Sequence, residues 1–260
     1  MNKIWKNDFY RFTKSPVLLF TTAFAFLLPF ALTMILRQNI NFGVGVGTFG
    51  EPTIVAFREM RDIIHMGVQY HMGLGIFVAV LISVFIGQEY QWNTWQHKWI
   101  IGKSRTNIYI SKVFVSCVSS AVLFLLFQSV VLLFSGQMME ILSSEYAALI
   151  INGVFIYIAL GAVICMLSML IRNHIASVVT SLIFVMFSES LTSLIGIISG
   201  ASSLTAPIGS WIIRHTVYGM SLRASEAYSL NLMAGMGVNS LIIIALYTCF
   251  GLFVFRKYEL

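Results

Sequence analysis

The sequence predicts an all-α integral membrane protein. It has six membrane-spanning helices, a basic amphipathic interfacial helix ahead of the first, a cytoplasmic helical segment between spans two and three, and outer re-entrant helices between spans five and six. Three observations carry this. Of 260 residues 58% are hydrophobic and only 10% charged, with a mean hydropathy of +0.86, whereas soluble domains carry about 25% charged residues. Six stretches are apolar over the length of ~20 residues that ~30 Å of hydrocarbon demands. The basic residues are lopsided between the two sides those stretches define. This composition excludes a soluble globular domain, a disordered chain and a nucleic-acid binder, so the net charge of +6 is not a sign of a polyanion partner.

The interfacial helix is residues 1–14, MNKIWKNDFYRFTK, where Ile4, Trp5, Phe9 and Phe12 recur at helical spacing among Lys3, Lys6, Arg11 and Lys14. A helix of this kind lies in the membrane surface. Ser15-Pro16 then opens span one, about 15–36, a run of 22 uncharged residues too long for a signal-peptide core and expected to be a retained anchor. Pro29 inside it needs neighbouring helices over the carbonyl it leaves unbonded.

The outer segment 37–66 contains GVGVGTFGEP. Gly45, Gly47 and Gly50 spell G-x-G-x-x-G, but no nucleotide-binding unit surrounds them, and a flexible turn is expected. TIVAFREMRDIIHMGVQY after it has the character of a short outer-surface helix. Span two follows at about 67–88, with a polar start at His65, Gln69, Tyr70 and His71.

The segment from Gly87 to Lys112, GQEYQWNTWQHKWIIGKSRTNIYISK, places Trp92, Trp95 and Trp99 on one helical face. Interfacial anchoring explains Trp beside Lys and Arg. It does not explain Glu89 directly at the inner end of a span, where a charge needs a partner or water. Gly102-Lys103-Ser104 mimics a P-loop ending, but His97 stands where the motif needs glycine, so this chain is not expected to hydrolyse nucleotide.

Spans three and four are expected at about 113–138 and 147–171, and span five at 174–198, interrupted by Glu189. Glu189 stands roughly 21 Å along that helix, inside the hydrocarbon, and is a candidate for an outer gate or substrate path together with Arg214. The competing account is a helix end with Arg214 or Arg223 as counter-charge. The outer segment 199–231 has apolar pieces too short to span, which suit re-entrant or interfacial helices. Span six is expected at about 233–255. The whole chain, 1–260, reads as one transmembrane domain.

Eleven of the sixteen Lys and Arg residues, including all seven lysines, fall on the side of the termini, which predicts that both termini are cytoplasmic. Cys117, Cys165 and Cys249 fit no disulfide or zinc pattern and read as small buried hydrophobes. The histidines give no metal pair. Gly200-Ala201-Ser202 lacks a base for an intramembrane serine protease. No catalytic residue, metal site or bound cofactor is expected.

Glu89-Tyr90, Asn93-Thr94-Trp95, Ser104-Arg105 and Ser111-Lys112, with the entry KNDFYRFTKSP, resemble the permease subunits of type-2 ABC transporters, the ABC-2 exporters. Asn93 stands where glycine is common in that pattern, and Lys103 where proline often precedes the Ser-Arg. The resemblance implies that 89–105 is a coupling helix docking into a cytoplasmic ATPase, through Glu89, Tyr90, Trp92, Thr94, Trp95, Lys98, Trp99 and Arg105. It implies ATP and Mg bound in that partner and a second permease copy or paralogue. It also implies a multi-pass place in the plasma membrane of a bacterium. Small permeases of this kind resemble bacteriocin and lantibiotic immunity or peptide-export components. With 21 Phe and 13 Met, adaptable apolar surfaces favour an amphipathic peptide or lipid-like cargo. A multidrug or sodium exporter of the same architecture, and an ATPase-independent channel or membrane enzyme, are the alternatives.

Overall fold

The computed structural model describes residues 2–38, 42–47, 52–57, 59–92, 94, 104–136, 143–200, 206–226 and 230–257, with side chains for all of these but 2–5, 42–47, 52–56, 200, 225, 226 and 230–232. In chain order the elements are α1 (Asn2–Thr13), α2 (Pro16–Arg37), β1 (Phe42–Gly47), β2 (Pro52–Phe57), α3 (Met60–Val68), a 3-10 turn (Tyr70–Met72), α4 (Leu74–Gln91), α5 (Arg105–Phe134), α6 (Ser144–Ile171), α7 (His174–Gly200), α8 (Ala206–His215), α9 (Val217–Glu226) and α10 (Leu230–Lys257). Six of these, α2, α4, α5, α6, α7 and α10, are long and apolar enough to cross a membrane. The chain is a multi-pass membrane protein, and an even number of spans puts both termini at one end of the bundle. That end is called the termini end below, and the other the far end.

α6 is the centre of the bundle. It packs on α5, α10, α4, α7 and α9, and Ile156, Tyr157, Leu160, Val163 and Ile164 on it are fully buried. α2, α7 and α10 are peripheral and turn Leu19, Phe20, Ile183, Met186, Leu241 and Phe250 outward, as helices whose outer solvent is hydrocarbon should. Cys165 is buried, but Cys249 faces out of the bundle, so only part of the cysteine expectation holds.

Local sequence sets the helix ends. Pro16 stands at the start of α2, where its missing N–H costs nothing. Pro29 is buried within α2 and Ala25 beneath it is inaccessible, so the carbonyl that Pro29 cannot bond is covered by protein. Ser104 accepts the Asn107 N–H at 3.4 Å and Ser143 the Tyr146 N–H at 3.3 Å, capping α5 and α6. The connection from α6 to α7 is two residues long. Arg172 turns it with a left-handed φ of 56°, and the Asn173 side chain accepts the Ala176 N–H at 3.1 Å.

Three stretches depart from the sequence expectation. The outer segment expected as a flexible turn contains an antiparallel hairpin, Phe42 opposite Phe57 and Gly47 opposite Pro52. Val44 and Val46 alternate with glycine against Thr53, Ile54 and Val55, and this period-two, β-branched pattern favours a pleat. The helix expected after it starts later, at Met60, and is not a surface helix: Ile63, Ile64 and Val68 are buried. The Gln128 amide donates to the Ile64 carbonyl at 3.0 Å, and the Tyr157 hydroxyl to the Gly67 carbonyl at 2.7 Å, so α3 is plugged into the bundle. The polar start of span two becomes the 3-10 turn, and α4 begins only after Gly73, whose φ of 151° suits glycine alone.

Span three departs the other way. α5 begins at Arg105 and carries Lys112 inside it, so an uncharged-run criterion starts the span eight residues late. Between spans five and six, α8 runs back along the end of α7, Gly209 against Ser199 and Gly196 against Ile213.

Candidate functional site

At the termini end, α1, α4 and α5 meet around four charges. α1 presents one face: Asp8 and Phe12 are buried while Phe9 and Tyr10 are half exposed. The side chain of Trp5 lies outside the described residues. Phe12 therefore faces inward and Phe9 outward, although their spacing put both on the expected apolar stripe. The Phe12 ring meets Phe85 of α4 edge-on at 5.0 Å, which seats α1 against the bundle.

The charges are stacked beside that contact. Lys112 Nζ donates to Glu89 Oε1 at 2.7 Å, stands 3.3 Å from Asp8 Oδ1, and lies 4.2 Å above the centre of the Phe85 ring. Ser111 Oγ donates to Asp8 Oδ2 at 2.7 Å, and Arg11 Nη1 to Glu89 Oε1 at 2.8 Å. Asp8, Glu89 and Lys112 are inaccessible to solvent, and Arg11 is at 31%. Two anions and two cations make the cluster neutral. Local preference does not place Glu89: a carboxylate at a helix C-terminus opposes the macrodipole. It is held there by Lys112, 23 residues later, and by Arg11, 78 residues earlier.

The segment beyond Glu89 is tied down at both of its described ends. The Tyr90 hydroxyl donates to the Met169 carbonyl of α6 at 3.1 Å, and the Thr94 hydroxyl to the Glu89 carbonyl at 3.3 Å. On the other side Arg105 donates to the Arg256 carbonyl of α10 at 3.1 Å, and Arg256 donates to the Thr106 hydroxyl at 2.7 Å. Trp92 between them is 60% exposed. Trp95, Lys98 and Trp99 lie outside the described residues.

The structure thus brings Glu89 together with three residues the sequence did not group with it: Asp8, Arg11 and Lys112. One signal was available. Asp8 and Glu89 are two of only three acids on the basic side, and Glu89 directly follows an apolar stretch where a lone carboxylate is costly. Glu89, expected to partner an ATPase, is buried and has its charge matched inside this chain. Among the described residues no group of three or more His, Cys, Asp or Glu side chains could hold a metal ion.

Glu189 and Arg214 are not brought together. Glu189 is half-buried on α7, Arg214 is exposed on α8, and no ion pair joins Glu189 to Arg214 or Arg223 among the described residues. The Glu189 charge is felt by Tyr218 of α9. Burial first, and the Glu189 charge second, push the Tyr218 hydroxyl up to about 12.

No curated protein matches the chain. A family model described as ABC-2 family transporter protein matches residues 4–188, well over half the sequence. The match runs from α1 to the middle of α7 and contains every member of the charge cluster. Together with the six spans, it shows that the chain belongs to the ABC-2 transporter family, as a membrane-spanning permease subunit of an ABC transporter.

Proposed function

We propose that the chain is the permease half of an ATP-driven exporter that moves an amphipathic peptide, or a lipid-like compound of similar chemistry, out of the cell or its membrane. The family normally works with an ATPase subunit. In this reading both termini are cytoplasmic, and two permeases, identical or paralogous, work with two ATPases that bind ATP and Mg. The segment 89–105 docks into a groove of the ATPase, Trp92, Trp95 and Trp99 serving as aromatic anchors and Lys98 and Arg105 setting register.

The observation that supports this reading best is the neutral cluster of Asp8, Arg11, Glu89 and Lys112. It fastens α1, α4 and α5 to the root of the segment. A push delivered there is carried by three helices as one body, which is what rigid-body switching between inward and outward states requires. In this role Glu89 is a positioning residue: it holds the root of the segment still and does not meet the ATPase.

The test is reconstitution of the permease with a cytoplasmic ABC ATPase subunit. Glu89→Ala and Trp95→Ala are expected to leave membrane insertion intact and to separate ATP hydrolysis from transport, with export falling roughly tenfold or more, the equivalent of one lost charge-assisted contact. Normal export in both variants would move the coupling site elsewhere. A permease that is active without any ATPase would overturn the reading.

A further inference from the structure

At the far end the bundle is not closed. α7 and α10 do not pack closely on each other, and a cavity of about 360 Å3 opens between them, bounded on its other sides by α8, α9 and the 3-10 turn. That volume lies within the range of sites for small organic ligands. Phe184, Leu191, Ile243 and Leu246 give it apolar walls.

Its lining also carries polar side chains. Tyr90, Tyr146 and Tyr157 each donate their hydroxyl to a backbone carbonyl. Tyr218, Asn239 and Tyr247 line the cavity, and their side chains have no hydrogen-bond partner among the described residues. Glu189 stands next in sequence to the lining residue Ser188, with no cation paired to it. An amide and two hydroxyls without a partner are costly at membrane depth, and here they border an apolar space, with the half-buried Glu189 one residue beyond the lining and acting electrostatically on Tyr218.

We infer that this cavity is a binding site for a cationic amphipath, its hydrocarbon body between α7 and α10 and its ammonium group against Glu189. The inference rests on the exporter reading only in treating that ligand as cargo. Binding is measured on the permease without an ATPase, so loss of binding and loss of transport are separate failures.

The probe is dodecylamine carrying a terminal diazirine, added to the permease in phosphatidylcholine nanodiscs, photolysed, and mapped by peptide mass spectrometry. Labels are expected on the stretches 184–195 and 242–247, displaced by plain dodecylamine at a concentration about tenfold or more below that of dodecanol, because an ion-paired hydrogen bond is worth at least that factor. Leu246→Trp, at the outward-facing rim, fills the cavity and should lower labelling there to the level of the lipid-facing stretch 19–24. Glu189→Gln should remove the preference for amine over alcohol and leave alcohol binding in place. Labelling that dodecylamine does not displace, equal displacement by amine and alcohol, or unchanged labelling in Leu246→Trp would each overturn the site.

Discussion

The two ends of the bundle treat charge away from water in opposite ways. At the termini end, Asp8, Glu89 and Lys112 lie fully inside and, with Arg11, neutralise one another within 3.3 Å. At the far end the half-buried Glu189 has no ion pair among the described residues and stands beside a cavity lined by Tyr218, Asn239 and Tyr247. A satisfied network in low dielectric holds its helices in one arrangement and asks for nothing from outside. An unsatisfied one is stabilised by whatever molecule brings the missing partners. The first is suited to transmitting a displacement, the second to receiving a ligand.

The sharpest way to break this contrast is to unbalance the satisfied end. Lys112→Met leaves Glu89 and Asp8 buried, with Arg11 alone to answer them. Removing one partner of a buried pair costs about 3–5 kcal/mol, so this should be the largest single loss of thermal stability in the molecule, read by unfolding in detergent. Adding Asp8→Asn and Glu89→Gln to Lys112→Met should recover most of that loss, because the three inaccessible charges then leave together and only the part-exposed Arg11 remains. A triple variant no more stable than the single one would mean that the cluster is not a mutually compensating set.

A smaller effect concerns pH, at the far end. His71 of the 3-10 turn is buried against Tyr70 and Tyr218, with ring centres 6.0 and 5.0 Å away, and burial lowers its pKa to about 4. The fold therefore holds His71 neutral, while the unfolded chain takes up a proton below about 6.5. Its contribution is complete above pH 6.5 and is lost as the pH falls towards 4, by on the order of 2–3 kcal/mol. His71→Phe should flatten that part of the stability profile relative to wild type. Parallel profiles for the two proteins would show that His71 is not the titrating group.

These contrasts also mark what the sequence could tell. The six spans were legible because hydrocarbon thickness imposes a length and because charge is costly inside it. That same rule misjudged α5. Lys112 ends an uncharged run, yet it lies well inside a continuous helix because Glu89 and Asp8 neutralise it. Pairing across 23 and 104 residues leaves no local pattern to find. Glu89 was legible as a carboxylate needing a partner, but its partners were not, since choosing them requires the packing of α1 on α5. The hairpin of β1 and β2 was obscured by its glycines, which read as turn material until their alternation with valine is weighed. The cavity could not be read at all. Its walls come from the 3-10 turn, α7, α8, α9 and α10, and the packing of five elements leaves no local pattern.

The smallest expected effect is the most discriminating, because it makes the same chemical change at both ends. Glu89→Gln keeps the shape of a side chain that accepts from Lys112 and Arg11 and removes the charge they answer, leaving Lys112 with Asp8 alone. A cost of about 1–3 kcal/mol follows from weakening charge-assisted bonds to a buried group. Glu189→Gln removes a charge that no cation answers among the described residues. It should change stability by less than about 0.5 kcal/mol, or raise it slightly, since a neutral amide is easier to hold at that depth. Unfolding midpoints of the two variants, measured side by side without ligand, decide the matter. A loss at Glu189→Gln as large as that at Glu89→Gln would mean that the far-end carboxylate already serves the fold, and the contrast between a finished network and an open one would collapse.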